Sequence, residues 1–396
     1  MRVFFSNITP QICLQYLMFF LVTYFLSIQA WNQSPTTDAA ILIWIVGLIT
    51  WAVKGELGLS GDQIKIALAS CFVFFTCLLS WLFSDYDLDF KKFEPDTRFL
   101  LFGLTIIAVS LSKLSINQFF IALIIAGISY GCSGIYERHF LRVYYVNGDE
   151  NSVTFGNGAF LIAACLVMIY LTKAHSILKI VAPIAIIFAL IAAIYSGTRG
   201  SFLALAPLGL ITFYKFNNNG RVASFLFVLI AAYGIINHTN LSAKFERSER
   251  NFLAYYKEGK VNNSTGIRLE MWNSSLCIVK NNPILGAGPR AFRNANNDEQ
   301  LDCNFPAVKH FNQAHSIIFN TLATKGILGT VSLAVFFYIL LSVSFKNRSP
   351  SRFILLAAVT AMLSYGQTVD LLFKVFMADR HLVLLAIIIG LSRKGS

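Results

Sequence analysis

Three side chains could carry chemistry: Arg199 and His315 lie where an apolar segment meets a polar one, and Arg268 lies within the long polar segment. Arg199 lies in Ser-Gly-Thr-Arg-Gly-Ser at 196–201, between two apolar runs, whereas Arg268 and His315 lie in the polar segment 241–325. An arginine at a membrane boundary is costly unless paired and often marks an anionic site. A neutral histidine can act as a general base, and nearby arginines favour its neutral form. Taken singly, Arg199 could equally be a snorkelling anchor, while a solvent-facing arginine and a capping histidine are the favoured interpretations of the other two.

The composition indicates a membrane protein. The chain has 396 residues, of which 56% are hydrophobic and only 13% charged, and it contains 36 phenylalanines. A soluble protein would carry about twice that charged fraction. Long continuous apolar runs predict an all-α polytopic membrane protein with about twelve transmembrane helices and one large loop that itself contains helices.

The hydrophobic runs divide the chain into three parts. We expect an N-terminal bundle of about nine spans at 1–237, a large helical loop at 238–325, and about three C-terminal spans at 326–396. The first span is expected to be a retained anchor. The predicted spans are 12–30, 39–53, 64–83, 98–111, 117–135, 154–172, 180–195, 201–215, 222–237, 326–345, 353–367 and 376–391.

The distribution of basic residues predicts the orientation. The termini and the connections on their side hold thirteen basic residues but only two acidic ones, whereas the other side holds nineteen and eighteen. Because short cytoplasmic loops are enriched in lysine and arginine, both termini are predicted to be cytoplasmic and the large loop to lie on the opposite side. The net charge of +12 is then mainly an orientation signal, so no nucleic-acid partner is expected.

The large loop is predicted to contain three helices, at Leu241–Tyr256, Ile267–Val279 and Ala314–Thr324, the last opening with His315. It also holds Cys277 and Cys303, which could pair in an oxidising compartment or equally remain free thiols. The spacing of cysteine and histidine does not indicate a metal site.

Three segments together resemble the O-antigen ligase and polymerase superfamily of bacterial envelope glycosyltransferases. That family shows a Ser-x-Ser-Arg-Gly-like break, a Gly-Arg…Trp helix followed by Pro-x-x-Gly-x-Gly, and Ala-His-Asn followed by two spaced glycines. The matching segments here are 196–201, Gly266 to Trp272, 283–288, 314–316, Gly326 and Gly329. The resemblance covers roughly 136–341. The sequence departs from the family pattern at Thr198, where serine is common, and at Ser316, where asparagine is usual. It also has one extra residue between Gly266 and Arg268.

The resemblance implies an O-antigen ligase acting at the periplasmic face of the bacterial inner membrane. Such an enzyme transfers polysaccharide from undecaprenyl diphosphate to lipid A–core, without a metal or other cofactor. It implies that Arg199 and Arg268 stabilise the diphosphate leaving group and that His315 is the general base. Arg142, Trp272 and Arg290 would bind diphosphate or glycan.

Other functions remain open at this point. An O-antigen polymerase or a protein O-oligosaccharyltransferase would use the same donor with a different acceptor. A transporter or flippase of lipid-linked glycan would be expected to carry functional charges near the middle of the membrane. The candidate charges here cluster at one face, which argues against a transporter. The stretch from Gly134 to Arg142, ahead of Phe155-Gly156-Asn157-Gly158, resembles the ligase branch more than the polymerases.

Overall fold

All regular secondary structure in the described part of the chain is helical. The computed structural model describes residues 9–32, 34–86, 89–148, 151–172, 176–215, 241–301, 303, 305–346 and 349–391. This confirms the predicted all-α class, whereas the predicted span at 222–237 lies outside these residues.

Sixteen α-helices occur in these ranges. They are α1 (Pro10–Ile28), α2 (Ser34–Lys54), α3 (Gly61–Leu82), α4 (Phe90–Phe93), α5 (Thr97–Ser112), α6 (Ile116–Ile135), α7 (Ser152–Leu171), α8 (Ser176–Tyr195), α9 (Leu205–Lys215), α10 (Leu241–Glu258), α11 (Ser264–Asn281), α12 (Phe292–Asn296), α13 (Ile317–Lys346), α14 (Pro350–Tyr365), α15 (Val375–Ala378) and α16 (Leu384–Gly390). Single 3₁₀ turns precede α5 and α9, and a π turn joins α15 to α16.

Eight of the helical segments in the described ranges are long and apolar enough to cross a membrane. They correspond to the first seven predicted spans and to the predicted span at 326–345. The segments Gly200–Phe213 and Pro350–Tyr365 form shorter apolar helices. The chain is therefore a polytopic helical membrane protein, and the count of twelve spans stays a prediction.

Side-chain caps fix where several helices begin. Ser60 with Gln63, and Ser115 with Gln118, form reciprocal capping boxes at α3 and α6. Asn263 accepts hydrogen bonds from two backbone amides in the first turn of α11. Such caps satisfy donors that have no partner within the helix.

Polar contacts bring connections together at one end of the bundle. Asp62 accepts hydrogen bonds from Lys346 at 3.0 Å and Arg352 at 3.1 Å. The Lys54 ammonium donates to the Leu111 carbonyl at 3.0 Å. These connections belong to the set that is rich in basic residues.

The other set of connections meets at the opposite end. Arg98 pairs with Asp379 at 2.9 Å, and Arg290 donates to the Phe373 carbonyl at 2.7 Å. The loop adds its own small apolar core, which includes Met271, Ile278, Phe292 and Val308. The candidate residues of the sequence motifs all belong to this end.

The third predicted loop helix, Ala314–Thr324, is confirmed as a helix but is wrong in its beginning, which lies at Ile317. It forms the first part of α13, which continues into the predicted span at 326–345 across a bend at Gly326. His315 lies before the helix with φ of 50°, a left-handed conformation in which an α-helix cannot begin. The Ile317 amide donates to the Gly366 carbonyl at 2.8 Å, which fixes the turn.

Helix α13 bends at Gly326, where φ is 64° and ψ is −165°. The Pro-Ile-Leu-Gly-Ala-Gly segment at 283–288 lies against this bend. Four backbone bonds join them: Ile327 N to Pro283 O at 2.9 Å, Leu328 N to Ile284 O at 3.1 Å, Ala287 N to Ala323 O at 2.9 Å, and Gly288 N to Thr324 O at 2.8 Å. The segment therefore satisfies backbone groups released by the bend, which a buried helix requires. A Cβ at Gly326 would overlap the Ile284 carbonyl.

Cys277 and Cys303 form a disulfide, with Cα atoms 5.9 Å apart. This settles the alternatives left by the sequence. The bond connects the C-terminal part of α11, the helix that carries Arg268, to the following loop.

Removing this disulfide is expected to loosen the loop. Replacing Cys277 and Cys303 with alanine should lower the free energy of unfolding by about 3 kcal/mol, because the bond closes a loop with a sequence separation of 26. Thermal unfolding in detergent and limited proteolysis of the loop measure this. Cys13→Ala is the matched control, since Cys13 is an exposed free thiol. Equal stability of the double variant and this control would contradict the expectation.

Candidate active site

The Ser-Gly-Thr-Arg-Gly-Ser segment forms a tight turn between α8 and the 3₁₀ turn Gly200–Ala204. The Ser196 hydroxyl donates to the Ala193 carbonyl at 2.7 Å, and the Thr198 hydroxyl donates to the Ser152 carbonyl at 2.9 Å. Gly197 has φ of 67°, and a Cβ there would overlap the Tyr145 ring. Small and hydroxyl-bearing residues therefore hold the backbone on which Arg199 stands.

Arg199 and Arg268 line one cavity of about 600 Å³. Its walls come from the turn at 196–200, the first residues of α7, and the facing sides of α10 and α11. Arg268 lies one turn from Trp272 on α11, and Trp272 also lines the cavity. The fold thus brings together two arginines that lie far apart in the sequence.

The two guanidinium groups influence each other electrostatically. The cavity walls remove part of the hydration of Arg268, and the positive charge of Arg199 acts on it as well. Both effects lower the pKa of Arg268 below its ordinary value. Two cations held this close favour an anion between them, since planar guanidinium groups match phosphate oxygens well.

His315 lies beside Arg268, outside the residues that line the cavity. Its ring makes an edge-to-face contact with Phe311, with centroids 6.1 Å apart. Burial, and then the positive charge of Arg268, lower the pKa of His315. The imidazole is therefore neutral at neutral pH and able to accept a proton.

A buried polar chain holds the backbone next to His315. The Asn320 side chain accepts from the Ala314 amide at 3.1 Å and donates to the Asp370 carboxylate at 2.5 Å. Asp370 also accepts from the Leu372 amide at 3.0 Å. Burial raises the pKa of Asp370 to about 6. Asn320 and Asp370 thus fix the approach to the candidate base without being placed in the cavity.

Trp272 connects the cavity to the beginning of α13. Its ring stacks on Phe319 of α13, with centroids 4.9 Å apart and planes 9° from parallel. The stack holds α11 against the first turn of α13, and hence Arg268 near His315.

The structure does not bring Arg142 or Arg290 into the cavity lining. Arg142 is exposed in a turn, with φ of 57°. Arg290 donates to the backbone carbonyls of Phe373 and Lys91, the latter at 3.1 Å, and its guanidinium lies 5.0 Å from the centre of the Phe373 ring. Arg290 therefore connects three segments, and substrate binding by either arginine stays a prediction.

Several residues of this region were absent from the sequence prediction. Tyr145, Ser248, Phe252 and Thr368 help to form the cavity, and Asn320 holds the turn before α13. Their side chains are common types in unremarkable surroundings, so the sequence carries no local signal for them. Asp370, in contrast, did carry a signal in the sequence, because a carboxylate close to predicted spans is rare.

A helical membrane bundle with a polar loop over a two-arginine cavity defines a polytopic membrane protein with a site suited to an anionic substrate. Residues 184–334 match the family model described as O-antigen ligase, and this match supports a relation to the O-antigen ligase superfamily. The matched region contains Arg199, Arg268 and His315. Members of the O-antigen ligase family are glycosyltransferase-like enzymes that act on lipid-linked glycans.

One curated relative is similar to this chain over most of its length. It is an uncharacterized protein of Haemophilus influenzae, 22% identical over 328 residues, which cover 79% of this chain and 80% of the relative.

Proposed function

We propose that the protein is an O-antigen ligase that transfers polysaccharide from undecaprenyl diphosphate to a sugar hydroxyl of lipid A–core. The observation that carries the proposal is the shared cavity of Arg199 and Arg268, with a neutral His315 beside Arg268. A diphosphate leaving group needs cations, and a sugar hydroxyl needs a base.

In the proposed reaction, His315 takes the proton of the acceptor hydroxyl. The acceptor oxygen attacks the anomeric carbon of the donor, and the bond from that carbon to the diphosphate oxygen breaks. Arg199 and Arg268 stabilise the charge that develops on the leaving undecaprenyl diphosphate. The proton then passes from His315 to solvent, which restores the base.

We propose further that the site faces the periplasm of the inner membrane, with both termini in the cytoplasm. Two observations support this orientation. The connections at the other end of the bundle are rich in lysine and arginine. The Cys277–Cys303 disulfide lies in the loop at the site end, and disulfides persist in oxidising compartments such as the periplasm.

The deciding experiment is transfer by the purified protein in vesicles. The donor is undecaprenyl-diphosphate polysaccharide, and the acceptors are lipid A–core, a single lipid-linked repeat unit and a serine-containing peptide. We expect transfer to lipid A–core only, at equal rates with and without a chelator. Extension of the repeat unit would identify a polymerase, glycosylation of the peptide an oligosaccharyltransferase, and dependence on a metal would contradict the proposed mechanism.

The pH profile of transfer should report the protonation of His315. A base must be neutral to act, so kcat/KM should fall as the pH drops through the lowered pKa of His315. That acid limb should lie below the ordinary histidine pKa of roughly 6.5. In Arg268→Gln the loss of one positive charge should raise the His315 pKa and move the limb of the remaining activity to higher pH.

Arg293→Gln is the matched control for the pH profile, because Arg293 is exposed on α12 and lies outside the cavity lining. Its acid limb should coincide with that of the natural protein. A limb in Arg268→Gln that stays in place, or moves to lower pH, would contradict the assignment of His315 as the base.

A further inference from the structure

Helix α10 carries an apolar strip on its outer face. Phe252, Leu253 and Tyr256 are 46%, 42% and 67% exposed, and the rings of Phe252 and Tyr256 lie 4.8 Å apart. On the inner face, the Tyr255 hydroxyl accepts a hydrogen bond from the Asn273 amide at 2.7 Å. Helix α10 is thus docked on α11 by one face, while Phe252, Leu253 and Tyr256 leave much of their apolar surface uncovered.

The apolar helix Gly200–Phe213 carries an exposed stripe that reaches the same cavity. Leu203, Leu210 and Phe213 are 55%, 60% and 55% exposed and recur at helical spacing. On an apolar helix of a membrane protein, we expect such a stripe to contact lipid. Leu203 and Phe252 both line the cavity, one from each helix. The middle of α10 is therefore level with the beginning of a lipid-facing helix.

We infer that α10 lies in the interfacial layer of the bilayer and that the cavity opens sideways to lipid between Leu203 and Phe252. Phenylalanine and tyrosine are favoured at the boundary between water and hydrocarbon. Exposure of the strip to water would instead forfeit its hydrophobic burial. Arg250 and Lys257 are exposed beside the strip and reach the headgroup phosphates.

This placement gives an amphiphile a continuous path. An apolar tail lies along the Leu203–Phe213 stripe, while an anionic head enters the cavity to Arg199 and Arg268. The use of this path by a polyprenyl-diphosphate donor rests on the proposed function. The position of α10 in the membrane does not.

The first test measures depth in the membrane. Nitroxide labels are attached to Phe252→Cys, Leu253→Cys and Tyr256→Cys, with the five free cysteines replaced and the disulfide kept. In vesicles of phosphatidylethanolamine and phosphatidylglycerol, each label should be relaxed more by oxygen than by a water-soluble nickel chelate. A label at the exposed Asn262 should show the opposite.

Two results of the depth test would overturn the inference. Labels on the strip as accessible to nickel as the label at Asn262 would place α10 in water. Labels inaccessible to both reagents would mean that another protein surface, such as a second copy of the chain, covers the strip.

The second test measures use of the path. Leu210→Ser should raise KM for the undecaprenyl-linked donor about tenfold with kcat unchanged, because Leu210 is 60% exposed on the stripe along which the tail lies and only tail-dependent binding is lost. KM for a donor with a short, water-soluble prenyl chain should not change. Tyr255→Phe, on the inner face, should show no dependence on chain length.

An equal effect of Leu210→Ser on both donors would overturn the path. Absence of transfer by the natural protein from either donor would instead reject the proposed function, and the depth measurement would still decide where α10 lies.

Discussion

His315→Ala is expected to reduce polysaccharide transfer to lipid A–core by roughly 10²- to 10⁴-fold, the usual contribution of a general base. The acceptor hydroxyl then loses the group that removes its proton. The ring is half-buried at a turn before α13, and alanine leaves the Asn320 contact to the Ala314 backbone intact. Transfer by the purified variant in vesicles measures the effect, with kcat and KM determined separately.

His310→Ala is the matched control. His310 is exposed and lies on the same loop. Its ring lies next to that of Phe311, with centroids 4.2 Å apart. It should retain transfer close to that of the natural protein. If His315→Ala also retains transfer while folding normally, His315 is not the base and the reaction does not use this histidine.

Arg268→Ala and Arg199→Ala are each expected to lower kcat by roughly 10²- to 10³-fold, as loss of one preorganised donor to a developing anion does. Both guanidinium groups line one cavity, and the charge of Arg199 acts on Arg268. Their contributions should therefore be coupled, so the double variant should lose less than the two single losses predict together. Arg→Lys at either position should restore activity only in part, because an ammonium cannot reproduce the bidentate guanidinium contact.

Arg293→Ala is the control for general loss of positive charge from the loop. It should change transfer little, since Arg293 lies outside the cavity lining. The measurement is single-turnover transfer from a saturating donor, which separates chemistry from binding. Strictly multiplicative losses in the double variant would show that the two arginines act independently and do not share one diphosphate.

Local patterns accounted for most of the helices. Continuous apolar runs predicted the eight spans that the structure confirms, because hydrophobicity and length are properties of a segment alone. Helix α10 begins at Leu241 as helical periodicity predicted, whereas α11 begins at Ser264, before the predicted Ile267, because Asn263 caps it there. The beginning of the third loop helix was predicted wrongly because the left-handed conformation of His315, just before α13, has no local signature in a residue other than glycine.

The sequence also predicted which residue types form the candidate site. The positions of Arg199 and His315 at the borders of apolar runs, together with the family motifs, which also contain Arg268, selected the three residues. What those types could do chemically depends on the side chains themselves, so it could be stated before any coordinates.

Their arrangement was decided only by the tertiary structure. The sequence left open whether Arg199 and Arg268 line one cavity and whether Cys277 pairs with Cys303. It also gave no sign that Asn320 and Asp370 hold the turn before α13. The role of segment 283–288 in completing the bend at Gly326 was equally hidden. Each of these is a contact between segments distant along the chain, which depends on the packing of whole helices. Periodicity and composition describe one segment at a time, so they specify the elements and their chemistry but not which of them meet.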